Sequence, residues 1–365
     1  MRRLSDTIAR LTALRRDLGA PMGEIEGGPL EELAGFGSNP GKLRAAIYLP
    51  ESLRPGAPLV VVLHGCTQNA AGFNRGSGWS ELADRHGFAL LYPEQRRGNN
   101  PNLCFNWYAP ADARRGRGEA ASIRQMVVKM IAAHDVDPAR IFVTGLSAGG
   151  AMTAVMLATY PELFAGGAII AGLPFATADT VSEALERMRG QGGPDDRKLA
   201  ALTAGASKHD GPWPTLSVWH GSSDTIVDPV NAEAIVSQWR SVQGIEAAPA
   251  TVETVDGHRR RAWTDAKGRE VIEQYDISGM GHGVPLDSAG NDSVGSVGAH
   301  MLEAGISSTN RIAQYWGLSE QVATKAERPV LAKASPRPRV AQAAPAKPAV
   351  TRVIEDALRA AGLMR

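Results

Sequence analysis

Residues 140–157 constrain this chain more than any other stretch. Arg140-Ile141-Phe142-Val143-Thr144 is a β-branched, apolar run and predicts a buried strand. Gly145-Leu146-Ser147-Ala148-Gly149 follows, and Gly150-Ala151-Met152-Thr153-Ala154-Val155-Met156-Leu157 reads as a helix. A G-x-S-x-G pentapeptide alone says little, because glycine and serine are common. Between a buried strand and a helix it predicts a turn so tight that Ser147 takes a strained backbone conformation. Glycines on either side remove side chains that would clash there. The hydroxyl then stands at the top of a sheet, over a helix N-terminus. The bland alternative is a serine N-cap in a Gly-rich turn.

Other strands follow the same pattern. Residues 43–50 form a strand candidate that stops at Pro50. Leu59-Val60-Val61-Val62-Leu63 is a continuous apolar run of the kind buried on both faces of a parallel sheet. Phe88-Ala89-Leu90-Leu91-Tyr92, Gly167-Ala168-Ile169-Ile170-Ala171, and Leu216-Ser217-Val218-Trp219-His220 are further candidates. Residues 271–277 are expected to be the last strand, with 251–255 pairing nearby. Helices are expected near 79–86, over 120–134 with Ile123, Val127, Met130 and Ile131 on one face, and across 230–242. Residues 20–40 and 99–117 read as loops. Residues 177–214 mix helix and loop and are expected to form an insertion over the sheet top.

Strands alternating with helices specify an α/β fold, with a mostly parallel sheet and helices on both faces. The ligand site of such a fold lies beyond the carboxyl ends of its strands. Four loops therefore matter: those after Leu63, Thr144, His220 and Ile277.

With 365 residues, 43% hydrophobic and 21% charged, the chain can bury a sizeable core. Its formal net charge of +1 gives no whole-chain reason to expect nucleic acid as a partner. No apolar run is long enough to span a membrane. The N-terminus starts basic but lacks a following apolar segment, so it does not look like a secretory signal. Leu4, Ile8, Leu11, Leu14 and Leu18 predict an amphipathic helix over residues 1–20. Residues 319–352 are rich in Ala, Pro, Lys and Arg and read as a linker, followed by a short amphipathic helix over 353–365. Docking of these terminal helices on a partner or a polymer granule is one expectation; packing on the protein body is the other.

Serine is a poor nucleophile near neutral pH, so Ser147 needs a base, and the base needs an orienting group. In an α/β-hydrolase arrangement these follow in the order serine, acid, histidine, each at a strand end. Asp224, in His220-Gly221-Ser222-Ser223-Asp224, follows a strand and is the preferred acid. Asp228 competes, but its place ahead of Pro229 suits a helix cap. His282, in Gly279-Met280-Gly281-His282-Gly283, is the expected base. His258 is read into a basic turn, His300 onto a helix, and His64 as a loop organiser. The oxyanion donors are expected to be the backbone N–H groups of Ala148 and Cys66. Neither a zinc motif nor a phosphate-binding loop nor a dinucleotide fingerprint is found, so no metal and no cofactor are expected.

Taken together, Leu63-His64-Gly65-Cys66-Thr67-Gln68, the elbow 145–152, His220-Gly221-Ser222-Ser223-Asp224 and Gly281-His282-Gly283 resemble the polyhydroxybutyrate depolymerase family of esterases. Feruloyl and acetylxylan esterases are its close relatives. Trp213-Pro214, Gln238-Trp239 and Gly305-Ile306-Ser307-Ser308-Thr309 add to the likeness, which covers 37–318. It implies an α/β-hydrolase domain over those residues and a Ser147–Asp224–His282 triad with Cys66 and Ala148 as oxyanion donors. It also implies that Trp107 lines the substrate cleft and that Cys66 and Cys104 are bridged. Many relatives are secreted, whereas no signal segment is seen here. The expected activity is cofactor-independent hydrolysis of hydroxyalkanoate esters through an acyl-enzyme, with feruloyl or acetyl esters as the alternative. A non-enzymatic granule-binding or scaffold protein is the alternative of another class.

Overall fold

The computed structural model describes residues 29–319 apart from Glu246 and Asn291. The N-terminal amphipathic helix, the C-terminal helix and, beyond Ser319, the linker expected from the sequence lie outside the described residues.

Strands β1 (Glu31–Glu32), β2 (Arg44–Tyr48), β3 (Ala57–Leu63), β4 (Ala89–Glu94), β5 (Val136–Leu146), β6 (Gly166–Ile170), β7 (Thr215–Gly221), β8 (Thr251–Val255), β9 (His258–Thr264) and β10 (Glu270–Ile277) build one sheet. Its order is β1-β2-β4-β3-β5-β6-β7-β10-β9-β8. The run from β4 to β10 is parallel. The outer strands on each side pair antiparallel. This is the mostly parallel α/β-hydrolase sheet.

Strand β3 shows why both faces must be covered. All seven of its residues are buried, and successive side chains point to opposite faces. Leu59, Val61 and Leu63 enter one core and Val60 and Val62 the other. The first core is closed by helices that follow β4, β5 and β7. Ile123, Met126, Val127 and Met130 recur along one side of the helix Gly118–His134. Met152, Val155 and Met156 come from Ala148–Thr159, and Ile235 and Trp239 from Val230–Val242. On the opposite face, Phe73 of Ala70–Ser77, Trp79 and Leu82 of Trp79–His86, and Ile312 of Ser308–Tyr315 close the second core. Each fully buried leucine, such as Leu59 or Leu90, contributes about 2 kcal/mol of transfer free energy.

Residues 177–214 carry two helices, Val181–Met188 and Asp196–Ala204. The first opens with a capping box between Thr180 and Glu183. Gln238 anchors this segment: its amide donates to the carbonyls of Phe175 and Leu199 and accepts from the Phe175 N–H.

Three local expectations need correction. His258 is not in a turn but is the first residue of β9, just after the turn residues Asp256 and Gly257, at φ 48° and 81°. An Asp-Gly pair between two short strands is the hairpin signal that places it there. His300 is not helical: it sits in a turn at φ 60°, ahead of β12 (Met301–Glu303), which pairs parallel with β11 (Val284–Leu286). Strand pairing there overrides the helical propensity of Met-Leu-Glu, and Gly305 ends the segment. Strand β10 is accordingly not the last strand.

Candidate active site

Ser147 is the single residue between β5 and the helix Ala148–Thr159. Its backbone stands at φ 57° and ψ −118°, a region that side chains disfavour. Tertiary contacts hold it there. The Ser147 N–H donates to the Ile170 carbonyl at 2.9 Å, and its own carbonyl accepts the Ala151 N–H. A Cβ on Gly145 would lie 2.5 Å from the Gly149 carbonyl oxygen, and one on Gly149 would lie 2.3 Å from that of Leu63. Both glycines are therefore required by close backbone approach.

The carboxyl ends of β7 and β10 lie side by side, with Asp276 opposite His220 and Ile277 opposite Gly221. The loops leaving them are stitched together by Ser222 N–H to Ile277 O, Ser223 N–H to Met280 O, and Gly279 N–H to the Ser222 hydroxyl. This brings Asp224 and His282 together: His282 Nδ1 donates to Asp224 Oδ2 at 2.7 Å. The other carboxylate oxygen accepts the N–H groups of Ile226 and Val227 at 2.8 and 3.0 Å. Burial by itself would raise the Asp224 carboxyl. Hydrogen bonds from His220 and His282, the charge of His282 and the Val227 N–H outweigh it and hold the group well below the usual carboxylate range. An ionised acceptor at Nδ1 keeps the proton on that nitrogen and leaves Nε2 as the basic atom. Asp228 does something else: its carboxylate accepts the Val230 N–H where the next helix starts.

Behind this pair stands His220, which sequence reasoning passed over although it begins the His-Gly-Ser-Ser-Asp motif. Its Nε2 donates to the Val227 carbonyl at 2.9 Å and lies 3.4 Å from Asp224 Oδ2. Its Nδ1 is buried without a hydrogen-bond partner among the described residues.

The turn after β3 is fixed on both sides of Cys66. The Gly65 N–H donates to Gln68 Oε1 and the Thr67 N–H to the Asn102 carbonyl. A disulfide joins Cys66 to Cys104. His64 is an organiser: Nδ1 donates to the Gly65 carbonyl at 2.8 Å and Nε2 accepts the Gln95 N–H at 3.1 Å. Burial pushes its imidazole below its ordinary range, against the Gly65 hydrogen bond and the Glu94 charge. Trp107 retains only 6% of its surface and meets Tyr108 edge to face. The loop carrying both is pinned by Glu119, whose carboxyl accepts the Asn106 N–H, the Asn106 amide and the Gln95 amide. Sequence patterning could not find Glu119, because a glutamate in the first turn of a helix is ordinary.

Among the described residues, no group of three or more His, Cys, Asp and Glu side chains could hold a metal ion, and no helix is long and apolar enough to cross a membrane. A strained serine and a histidine bonded through Nδ1 to a buried carboxylate are the components that acid–base-assisted serine chemistry requires.

Comparison with known proteins points the same way. The family model described as Esterase PHB depolymerase matches residues 43–262. A poly(3-hydroxyalkanoate) depolymerase C of Paucimonas lemoignei is 44% identical over 293 residues, 79% of this chain and 70% of the relative. An acetylxylan esterase of Coprinopsis cinerea is 31% identical over 278 residues, 73% of this chain and 72% of the relative. The solved acetyl xylan esterase from Aspergillus awamori superposes with a TM-score of 0.68 at 25% identity, covering 80% of this chain and all of that one.

Proposed function

As a member of the Esterase PHB depolymerase family this chain is a carboxylic ester hydrolase, and we propose that Ser147, Asp224 and His282 are its catalytic triad. The observation that carries the assignment is the 2.7 Å bond from His282 Nδ1 to Asp224 Oδ2. It supports Nε2 as the base, at the carboxyl end of the sheet where Ser147 also stands. In this reading Nε2 takes the Ser147 proton as the hydroxyl attacks the ester carbonyl. The oxyanion is met by the N–H groups of Ala148, at the start of a helix, and Cys66, in the turn held by the disulfide. Collapse expels the alcohol, protonated by His282, and water then releases the acyl group by the same steps in reverse roles. Trp107, nearly buried, would act on substrate through the wall it forms with Tyr108.

The proposed substrates are poly- or oligo(3-hydroxyalkanoate) esters. Their support is the 44% identity to a depolymerase, against 31% to an acetylxylan esterase. Feruloyl or acetylxylan esters are the second reading, the acetylxylan part of it favoured by the Aspergillus awamori superposition. A panel of hydroxybutyrate oligomers, methyl ferulate and acetylated xylan, run with wild type beside Ser147→Ala, separates them. Turnover of ferulate alone would remove the depolymerase reading, and activity in Ser147→Ala would remove the triad. Family membership decides for an enzyme over a non-enzymatic scaffold. We also propose that the terminal amphipathic segments, 1–20 and 353–365, dock on a partner or granule; deleting residues 325–365 should leave p-nitrophenyl ester turnover unchanged while weakening retention on polymer granules.

A further inference from the structure

We infer that His300 is a positioning residue for His282, holding the main chain from which the catalytic imidazole is hung. The inference rests on the triad reading above.

Asp224 fixes one atom of the His282 ring, Nδ1. A ring held at one atom can pivot, so the direction of Nε2 depends on where the backbone puts the Cβ. The segment supplying that backbone is a poor support by itself. Gly279, Gly281 and Gly283 alternate through it, and 278–283 has no helix or strand. Free glycine-rich chain would let the base wander by more than catalysis tolerates.

His300 brackets this segment from two sides. Its side chain contacts the His282 carbonyl, Nδ1 to O, at 3.0 Å. A carbonyl only accepts, so Nδ1 carries the proton. Its own carbonyl accepts the Val284 N–H at 2.9 Å. Between these bonds, Gly283 is pressed so closely that a Cβ there would lie 2.7 Å from the His300 oxygen. The two imidazoles also meet edge to face, with centroids 5.7 Å apart at 81°.

The backbone of His300 is strained to make these contacts. It sits at φ 60°, in the left-handed region that non-glycine residues seldom adopt, though histidine, like Asn and Asp, enters it more readily than most. The neighbouring turn is closed by reciprocal bonds between Gly298 and Met301, and β12 begins immediately after it, paired with β11. Those bonds over-determine the turn and maintain the strain, as expected where a strained residue serves a site.

The test uses three substitutions that separate donor, ring and backbone. His300→Asn retains an N–H at the position of Nδ1 and tolerates positive φ. His300→Gly relieves φ but removes the donor. His300→Phe keeps a ring without a donor. Steady-state turnover of p-nitrophenyl butyrate is measured for each, beside wild type and Ser147→Ala, well below each protein's thermal midpoint. The Gly and Phe variants should lose ~10- to 100-fold in kcat, the scale of a slight misplacement of a catalytic group. Their KM should stay within about 2-fold, since substrate contacts are untouched. The Asn variant should recover kcat to within about 3-fold of wild type, because the donor is restored. If the Phe variant does not fold, the Gly and Asn pair carries the comparison. Wild-type kcat in the Gly and Phe variants overturns the inference, as does a rise in KM alone, or an Asn variant as slow as the Gly one. Retained activity in Ser147→Ala would instead sink the triad reading beneath it.

Discussion

Gln95 donates its side-chain amide to the buried carboxyl of Glu119 at 2.5 Å, while its backbone N–H donates to His64 Nε2. The same amide reaches the Cys104 carbonyl at 3.0 Å. One glutamine thus ties the turn carrying Cys66 to the loop carrying Trp107, and Glu119 is the acceptor on which both converge. Glu119→Ala would leave the Asn106 N–H and amide without that acceptor in a buried place. A loss of about 2–4 kcal/mol is expected, measured by denaturant unfolding.

The charge state of Glu119 gives a pH dependence. Burial, helped by the Asp112 charge, pushes its carboxyl up to about 8, against the hydrogen bonds from Gln95 and Asn106. The folded protein therefore keeps a proton there that the unfolded chain has released. This contribution to stability is complete below pH 4.5 and is lost as pH rises to about 8. Denaturation midpoints compared across that window should fall less in Glu119→Gln than in wild type. Equal slopes would show that Glu119 does not titrate there.

Asp224 has the opposite sign. Its folded carboxyl lies below the ordinary 3.8, so its contribution is present above that pH and disappears as pH falls further. Asp224→Asn should flatten the acid limb of stability. At neutral pH it should lower kcat by about 10³- to 10⁴-fold, because an amide no longer enforces the productive His282 tautomer. Retention of more than a tenth of the activity would show that another group orients the base.

The Cys66–Cys104 bridge closes a separation of 38 residues. Replacing both cysteines by serine should cost about 3–4 kcal/mol in the chain-entropy picture. Because Cys66 supplies a proposed oxyanion donor, kcat should fall by up to about 10²-fold with KM little changed. The Thr67 to Asn102 hydrogen bond remains and limits the loss. An unchanged kcat in the double serine variant would assign the bridge to stability alone.

A methyl group on Gly149 would meet the Leu63 carbonyl at 2.3 Å, which is backbone and has little room to give. Gly149→Ala should push the elbow off β3, costing about 1–3 kcal/mol as overpacking and most of the esterase turnover. Thermal midpoint and turnover measured together test both effects.

What the sequence by itself determined is local. An apolar run of β-branched residues against a G-x-S-x-G turn specifies strand, elbow and helix because covalent neighbours share one periodicity. The expected order serine, acid, histidine came from the α/β-hydrolase pattern, and the preference for Asp224 over Asp228 from position: Asp224 follows a strand, whereas Asp228 stands ahead of Pro229, where it accepts the Val230 N–H. Tertiary structure decided everything that depends on which strands are neighbours. Asp224 and His282 meet because β10 lies beside β7, although β8 and β9 separate them in the chain. His300 looked helical from its neighbours, but pairing of β12 with β11 bent it into a turn against the His282 carbonyl. Glu119, Gln95 and His64 look unremarkable one at a time; they form a network only because β3, β4 and the helix after the aromatic loop converge at one end of the sheet. Periodicity reports which face a residue points to, and only the packed sheet reports what waits on that face. That is why the elbow at Ser147 could be read from the sequence, while the support beneath His282 could not.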